Sequence, residues 1–177
     1  MITYLNNAVS EYVMIETRDL VYVIDAHTNK AKKPVNSTRM WDKITPYYMH
    51  PLWCATMILH ETSLLEELRI NGSQALLYHD VLEDTMAELP EWLLERIKDL
   101  VHGMTFKSSE DEWENLWKRD KEVRLLKMYD KVSNILDGVW MKPERRIQHI
   151  NHLKKLLYDV QKNYGNLNII RIAKVLI

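Results

Sequence analysis

One cysteine in 177 residues, Cys54, rules out an intrachain disulfide and fits a reducing compartment. It lies in the apolar run LWCATMIL (52–59), where a thiol is core filler rather than a nucleophile. No stretch of about eighteen apolar residues occurs, so no membrane span is expected. No basic segment followed by an apolar run opens the chain, so no secretory signal is expected and cytoplasmic localisation is the default. A formal net charge of -1 argues against a nucleic-acid coat or a membrane-surface protein held by bulk charge. Glycine (4) and proline (5) are scarce, while Leu, Met, Glu and Lys are plentiful, so the composition leans towards helix.

With 46% apolar and 28% charged residues, the chain suits one soluble domain over 1–177, with its core at about 20–160. Residues 1–17 form a mixed lead-in of one or two helical turns. The spacing of Leu20, Val23, Ile24 and His27 predicts a helix that stops before Pro34, with a strand over Val21 to Ile24 as the alternative, and 34–49 is broken by Pro34 and Pro46 into a loop. His50-Pro51 opens a helix whose stripe (Leu52, Ala55, Leu59, Leu64, Leu68) ends near Asn71-Gly72, and Ser73 caps the next. A further helix runs from Pro90 to Gly103, and Ser109 with Glu112 forms a capping box for another. That segment breaks near Asp120 and continues to Gly138. A helix from Pro143 to Gly165 and a short apolar one over 167–177 close an all-α bundle of about seven to nine helices.

The stretch Ala75 to Thr85, ALLYHDVLEDT, joins an apolar run to His79, Asp80, Glu83 and Asp84. On a helix, His79 lies over Glu83 and Asp80 over Asp84, with Ala75, Leu76, Val81 and Leu82 left to the core. Three carboxylates and an imidazole beside an apolar segment cost several kcal/mol each if buried unpaired, and a divalent cation is the simplest compensation. The alternative is a solvated acidic helix end. His79 and Asp80 diverge by about 100°, so they share an ion only if it lies between their directions. His50 at a helix start is a further candidate ligand, as is Asp130, which shares a helix face with Asn134 and is flanked by Lys127 and Lys131. Two imidazoles and two carboxylates form a mixed N/O set suited to Mn²⁺, Fe²⁺ or Zn²⁺.

A histidine, a later His-Asp doublet and a still later Asp resemble the HD-domain metal-dependent phosphohydrolases. Four motifs bring the chain closest to the RelA/SpoT-type and small stand-alone alarmone hydrolases. They are TPYYMHP (Thr45 to Pro51), ALLYHDVLEDT (Ala75 to Thr85), the segment Gly103 to Lys107, and LKMYDKVSNI (Leu126 to Ile135), in the family's order. The resemblance implies His50, His79, Asp80 and Asp130 as ligands of a metal, usually Mn²⁺. It implies Glu83 and Asp84 as the pair that positions and deprotonates the attacking water, and Asn134 as a nucleotide contact. His27, Lys32 and Lys33 fall in the family's basic substrate-binding segment, although AHTNKAKK carries Lys30 and Lys32 where the family has glutamine and arginine. Tyr47 and Lys107 complete the expected substrate contacts. Lys30 reads as a surface charge. Lysine offers a point charge without arginine's planar fork. Tyr78 and Tyr129 replace a smaller leucine and alanine, which predicts a narrower pocket.

The implied activity is hydrolysis of the 3′-pyrophosphate of guanosine tetra- or pentaphosphate, giving GDP or GTP and pyrophosphate, by a stand-alone enzyme. Two alternatives stay open: a phosphohydrolase of another nucleotide (a dNTP or NADPH), and a catalytically silent nucleotide-binding protein. The expected partner in every case is a small phosphorylated nucleotide, with neither nucleic acid nor membrane.

Overall fold

Eleven of the sixteen residues of the helix carrying Asp130 are buried, which makes it the centre of the molecule rather than a face of it. In the computed structural model, which describes residues 15–177, this helix is α7 (Lys121–Leu136). Before it come α1 (Thr17–Asn29), α2 (Met49–Leu59), α3 (Glu66–Tyr78), α4 (Val81–Asp84), α5 (Glu95–Met104) and α6 (Ser109–Asn115). After it come α8 (Pro143–Tyr164) and α9 (Asn168–Leu176). Helices α2, α5, α8 and α9 pack against α7, and α2 lies along α3. Leu125, Leu126, Met128, Tyr129, Val132 and Ile135 supply the apolar part of the shared core. Among the described residues the fold is all-α, with only two isolated β-bridges, Ala31–Thr85 and Thr38–Pro46. No described helix is long and apolar enough to cross a membrane. The expected lead-in turns over 1–17 fall mostly outside the described residues.

The predicted helix over 50–71 is two helices, because the chain turns at 60–65 and brings α3 back along α2. Two predicted punctuation marks are consequently misplaced. Ser73 is not a cap but lies inside α3, where its hydroxyl donates to Ala55 O at 2.9 Å across the α2–α3 contact. Gly72 is not a stop signal. It is the point of close approach, where a Cβ would stand 2.7 Å from Ile58 Cδ1 and 3.0 Å from Leu126 Cδ2. Gly72→Val therefore overpacks the α2–α3–α7 junction and is expected to cost about 1–3 kcal/mol, read as a lower midpoint in urea unfolding. A midpoint equal to wild type would show that the junction yields freely.

Pro90 precedes α5 by several residues rather than starting it. The α6 cap is Ser108, whose hydroxyl accepts from Asp111 N at 3.2 Å, and not Ser109 paired with Glu112, since Glu112 is buried and turned to the core. The expected breaks at Asp120 and Pro143 hold, and α8 ends at Gly165, whose φ of 78° is the left-handed conformation that a glycine terminus accommodates.

Candidate metal centre and active site

His50 stands where a helix begins, His79 and Asp80 where one is interrupted, and Asp130 inside α7. Asp42 accepts from Ile44 N and Thr45 N, both at 2.9 Å, and Arg39 N donates to Thr45 O at 2.8 Å, fixing the loop before α2. His50 then enters at the first turn of α2. The expected continuous helix through ALLYHDVLEDT is broken, since α3 ends at Tyr78 and α4 begins at Val81. His79 and Asp80 occupy the turn between them, both with right-handed helical backbone. His79 Nε2 lies 3.1 Å from Asp80 Oδ1. From α7, Asp130 Oδ1 approaches His50 Nε2 to 3.4 Å and His79 Nε2 to 3.9 Å, while Asp80 Oδ2 is 3.4 Å from His50 Nε2. All four side chains are buried.

The histidine orientations are set from behind. His79 Nδ1 is 2.7 Å from Leu76 O and so carries the proton it donates, leaving Nε2 as a lone pair. His50 Nδ1 is 2.8 Å from Ser133 Oγ, and the two Nε2 atoms face each other at 3.2 Å. Two ring nitrogens and two carboxylates converging this closely repel one another unless a positive charge lies among them. Burial pulls the His79 imidazole down, yet Asp80 and Asp130 raise it to about 9, since their carboxylates favour a positive charge beside them. His50, His79 and Asp130 each offer an atom within 4.8 Å of the others, and the Asp80 carboxylate lies beside the two histidines. The residues fit a divalent metal with N/O preference.

Beside the cluster is a cavity of about 410 Å³ whose lining includes Asp80, Glu83, Asp84, Asp130, Lys127 and Lys131. Glu83 Oε1 accepts from Phe106 N at 2.8 Å, and Asp84 Oδ1 accepts from Asn36 Nδ2 at 2.8 Å. Burial, followed by the Asp80 charge, pushes Asp84 up to about 6; burial raises Glu83 to about 7 against the pull of Lys127. Both carboxyls are thus more basic than an ordinary carboxylate. Below them, Lys127 Nζ and Lys131 Nζ lie 3.1 Å and 3.2 Å from Asp130 Oδ2 and 3.3 Å and 2.8 Å from Glu112 Oε2. Burial pushes the Asp130 carboxyl up, but Lys131 and Lys127 hold it well below the usual carboxylate range.

The six expected substrate contacts divide. Tyr47, Lys107 and Asn134 line the cavity; Tyr47 donates to Asp80 Oδ2 at 2.8 Å, and the Asn134 amide donates to Asp130 Oδ1. His27, Lys32 and Lys33 do not line it. His27 is wholly buried, stacked on Tyr47 with ring centroids 5.0 Å apart. Lys32 Nζ donates to Leu82 O at 2.7 Å and Glu83 O at 3.0 Å, so it braces the turn that carries the acids. Lys33 is exposed, and Lys30 pairs with Asp25 at 2.8 Å, as a surface charge does. Tyr78 and Tyr129 do not narrow the cavity. Their hydroxyls donate away from it, to Asp19 and Glu61. Cys54 is buried, and burial drives its thiol up.

Sequence reasoning missed Arg39. Its Nε donates to Asp137 Oδ2 at 2.7 Å, its Nη2 to Asn134 Oδ1 at 3.0 Å, and its guanidinium covers the Tyr47 ring at 5.2 Å. It lines a second, more apolar cavity of about 450 Å³ with Trp41, Met49, His50, Trp53 and Leu136. A lone arginine in a polar loop carries no periodic signal that would have singled it out. Ser133 and Glu112 were missed for the same reason, because their partners lie far off in sequence.

No family model matches the chain, and no curated protein matches it. The solved structures to which the chain is similar in fold include one described as a metazoan ortholog of SpoT that hydrolyzes ppGpp and plays a role in starvation responses. The TM-score is 0.66 at 24% sequence identity, covering 90% of this chain and 91% of that one. At that identity the likeness speaks for architecture alone, and the chain shares the all-α fold of that structure.

Proposed function

We propose that the chain is a metal-dependent phosphohydrolase that removes the 3′-pyrophosphate of guanosine tetra- or pentaphosphate. The observation that carries this reading is the convergence of His50, His79, Asp80 and Asp130 on one point beside a cavity that also holds Glu83 and Asp84. The four converging residues would hold the metal, with Mn²⁺ the expected ion. When bound, the ion lowers the pKa of a coordinated water and offsets charge developing on phosphoryl oxygens. Glu83, its Oε1 held by the Phe106 amide, keeps Oε2 to take a proton from the attacking water. Asp84, held by Asn36, orients that water from the same turn. Tyr47 and Asn134 hold Asp80 and Asp130 in place through their hydrogen bonds. The more apolar second cavity beside His50, with Arg39 at its wall, suits a nucleobase.

A second reading keeps the reaction and changes the substrate to a dNTP or NADPH. The engagement of Lys32 with backbone carbonyls favours it, because a charge expected at the substrate is used elsewhere. Incubation of the purified protein with Mn²⁺ and a panel of the alarmone, dNTPs and NADPH, resolved by chromatography, separates the two. Release of pyrophosphate from the alarmone is the expected result; turnover of dNTPs or NADPH alone would replace it with the second reading. The ion is also expected to stabilise the fold, since it binds only the native arrangement. At about 100 times its Kd, Mn²⁺ adds roughly 2.7 kcal/mol, an increase of about 5–10 °C in Tm for a chain of this size. Asp80→Ala is expected to abolish that increase.

A further inference from the structure

The two oxygens of Asp130 stand in different surroundings. Oδ1 faces His50 and His79 and accepts from Asn134, whereas Oδ2 lies 3.1 Å from Lys127 Nζ and 3.2 Å from Lys131 Nζ. Two ammoniums on one oxygen leave the other to meet an ion, so Asp130 joins the cluster as a one-oxygen donor. The same arrangement opposes the ion. Two buried positive charges stand behind the ligand, and at low effective dielectric they repel a dication in front of it.

Glu112 meets that repulsion from the far side. Of the seven residues of α6, SEDEWEN, only Glu112 is buried. Its Oε2 lies 3.3 Å from Lys127 Nζ and 2.8 Å from Lys131 Nζ, so each ammonium is bridged between Glu112 and Asp130. Its Oε1 faces His152 Nε2 of α8 at 3.5 Å, and neither atom has a hydrogen-bond partner among the described residues. The Trp113 and Trp117 rings, centred 6.3 Å and 5.8 Å from the His152 ring, close this side. The charges then decide what the carboxylate does. With both imidazoles neutral, the negative charges of Asp80 and Asp130 are cancelled by the two lysines. Without Glu112 a dication would meet no net charge; with it, one negative charge remains. Packing alone does not call for a carboxylate here, because apolar groups of similar volume often replace a buried ionic cluster without loss of stability.

We infer that Glu112 is a positioning residue of the metal centre. Acting through Lys127 and Lys131, it holds Asp130 as a one-oxygen ligand and supplies the counter-charge that lets a divalent cation bind beside two buried ammoniums. The inference rests on the metal centre of the proposed function and is independent of which nucleotide is hydrolysed.

The test titrates Mn²⁺ into chelator-treated protein and reads the free ion by electron paramagnetic resonance. Near-ultraviolet circular dichroism at the same temperature checks that each variant is folded. Glu112→Gln is expected to bind Mn²⁺ about 10- to 100-fold more weakly than wild type. Lys131→Met removes one ammonium from an unbranched side chain and is expected to bind several-fold more tightly. A purely structural disturbance would weaken binding in both. The double variant Glu112→Gln/Lys131→Met restores the charge balance and is expected to return close to the wild-type affinity. If Glu112→Gln alone does not fold, the step from Lys131→Met to the double variant reads the same loss without a stranded ammonium. Equal affinity with and without the Glu112 carboxylate, or weaker binding by Lys131→Met, overturns the role of Glu112 while the metal centre stands. Wild-type protein that binds no Mn²⁺ overturns both.

Discussion

Glu83→Gln is expected to retain its metal and lose about 10²- to 10⁴-fold in kcat, a barrier increase of about 2.7–5.5 kcal/mol. The amide keeps the size of the carboxylate and still accepts from the Phe106 amide, so the turn after Asp80 is undisturbed. What it cannot do is take a proton. Asp80→Ala should behave differently, since Asp80 stands 3.1 Å and 3.4 Å from the two histidine Nε2 atoms and its removal takes away a donor. Elemental analysis of both variants beside single-turnover kinetics separates the roles. Metal content near wild type with collapsed turnover is expected for Glu83→Gln, and loss of metal for Asp80→Ala. Equal metal loss in both would contradict the division of labour, and wild-type turnover by the Gln variant would remove Glu83 from the chemistry.

Glu112→Gln is expected to be the most destabilising conservative change in the molecule. Glu112 and Asp130 together neutralise Lys127 and Lys131, and all four side chains are buried, Lys127 to 2% exposure. Removing one carboxylate leaves an uncompensated charge in the core, about 3–5 kcal/mol, or roughly 6–20 °C in Tm for this length. The pH dependence follows from the folded-state shift. Burial pushes the Glu112 carboxyl up, but Lys131 and Lys127, with His152 at 3.5 Å, hold it below its ordinary value of 4.5. A depressed carboxyl contributes stability that is complete above the unfolded value and fades as pH falls below it. The gap in Tm between wild type and Glu112→Gln should therefore be widest near neutral pH and narrow below about pH 4.5. A gap that is small at pH 7 would mean that water reaches the lysines.

Much of the site was legible because its chemistry is written in short local patterns. The doublet His79-Asp80 with Glu83 and Asp84 one turn later, and Asp130 with Asn134 four residues on, are visible without coordinates. The helices with strong punctuation, ending at Gly165 or starting at Pro143, were equally plain. The errors came where a local signal was overridden by packing. Gly72 reads as a stop, but α2 and α7 need its missing side chain; Ser73 reads as a cap, but its hydroxyl serves Ala55. Glu112 reads as half of a capping box, but two buried lysines claim it.

The separation of ligands from proton-handling acids is what the family resemblance implies; the sequence by itself determined the helical class and put forward His50, His79, Asp80 and Asp130 as candidate ligands. Residue type and spacing carry those, because coordination depends on side-chain chemistry and on the helical repeat. Tertiary structure decided the rest. It set His79 and Asp80 in the turn between α3 and α4, left His27 and Lys32 outside the cavity lining, brought Glu112, Arg145 and His149 to that lining, and placed Arg39 and Ser133 on the second cavity beside His50, all from distant segments. Which residue faces a cavity depends on how helices far apart in the chain pack around α7, and no local spacing encodes that.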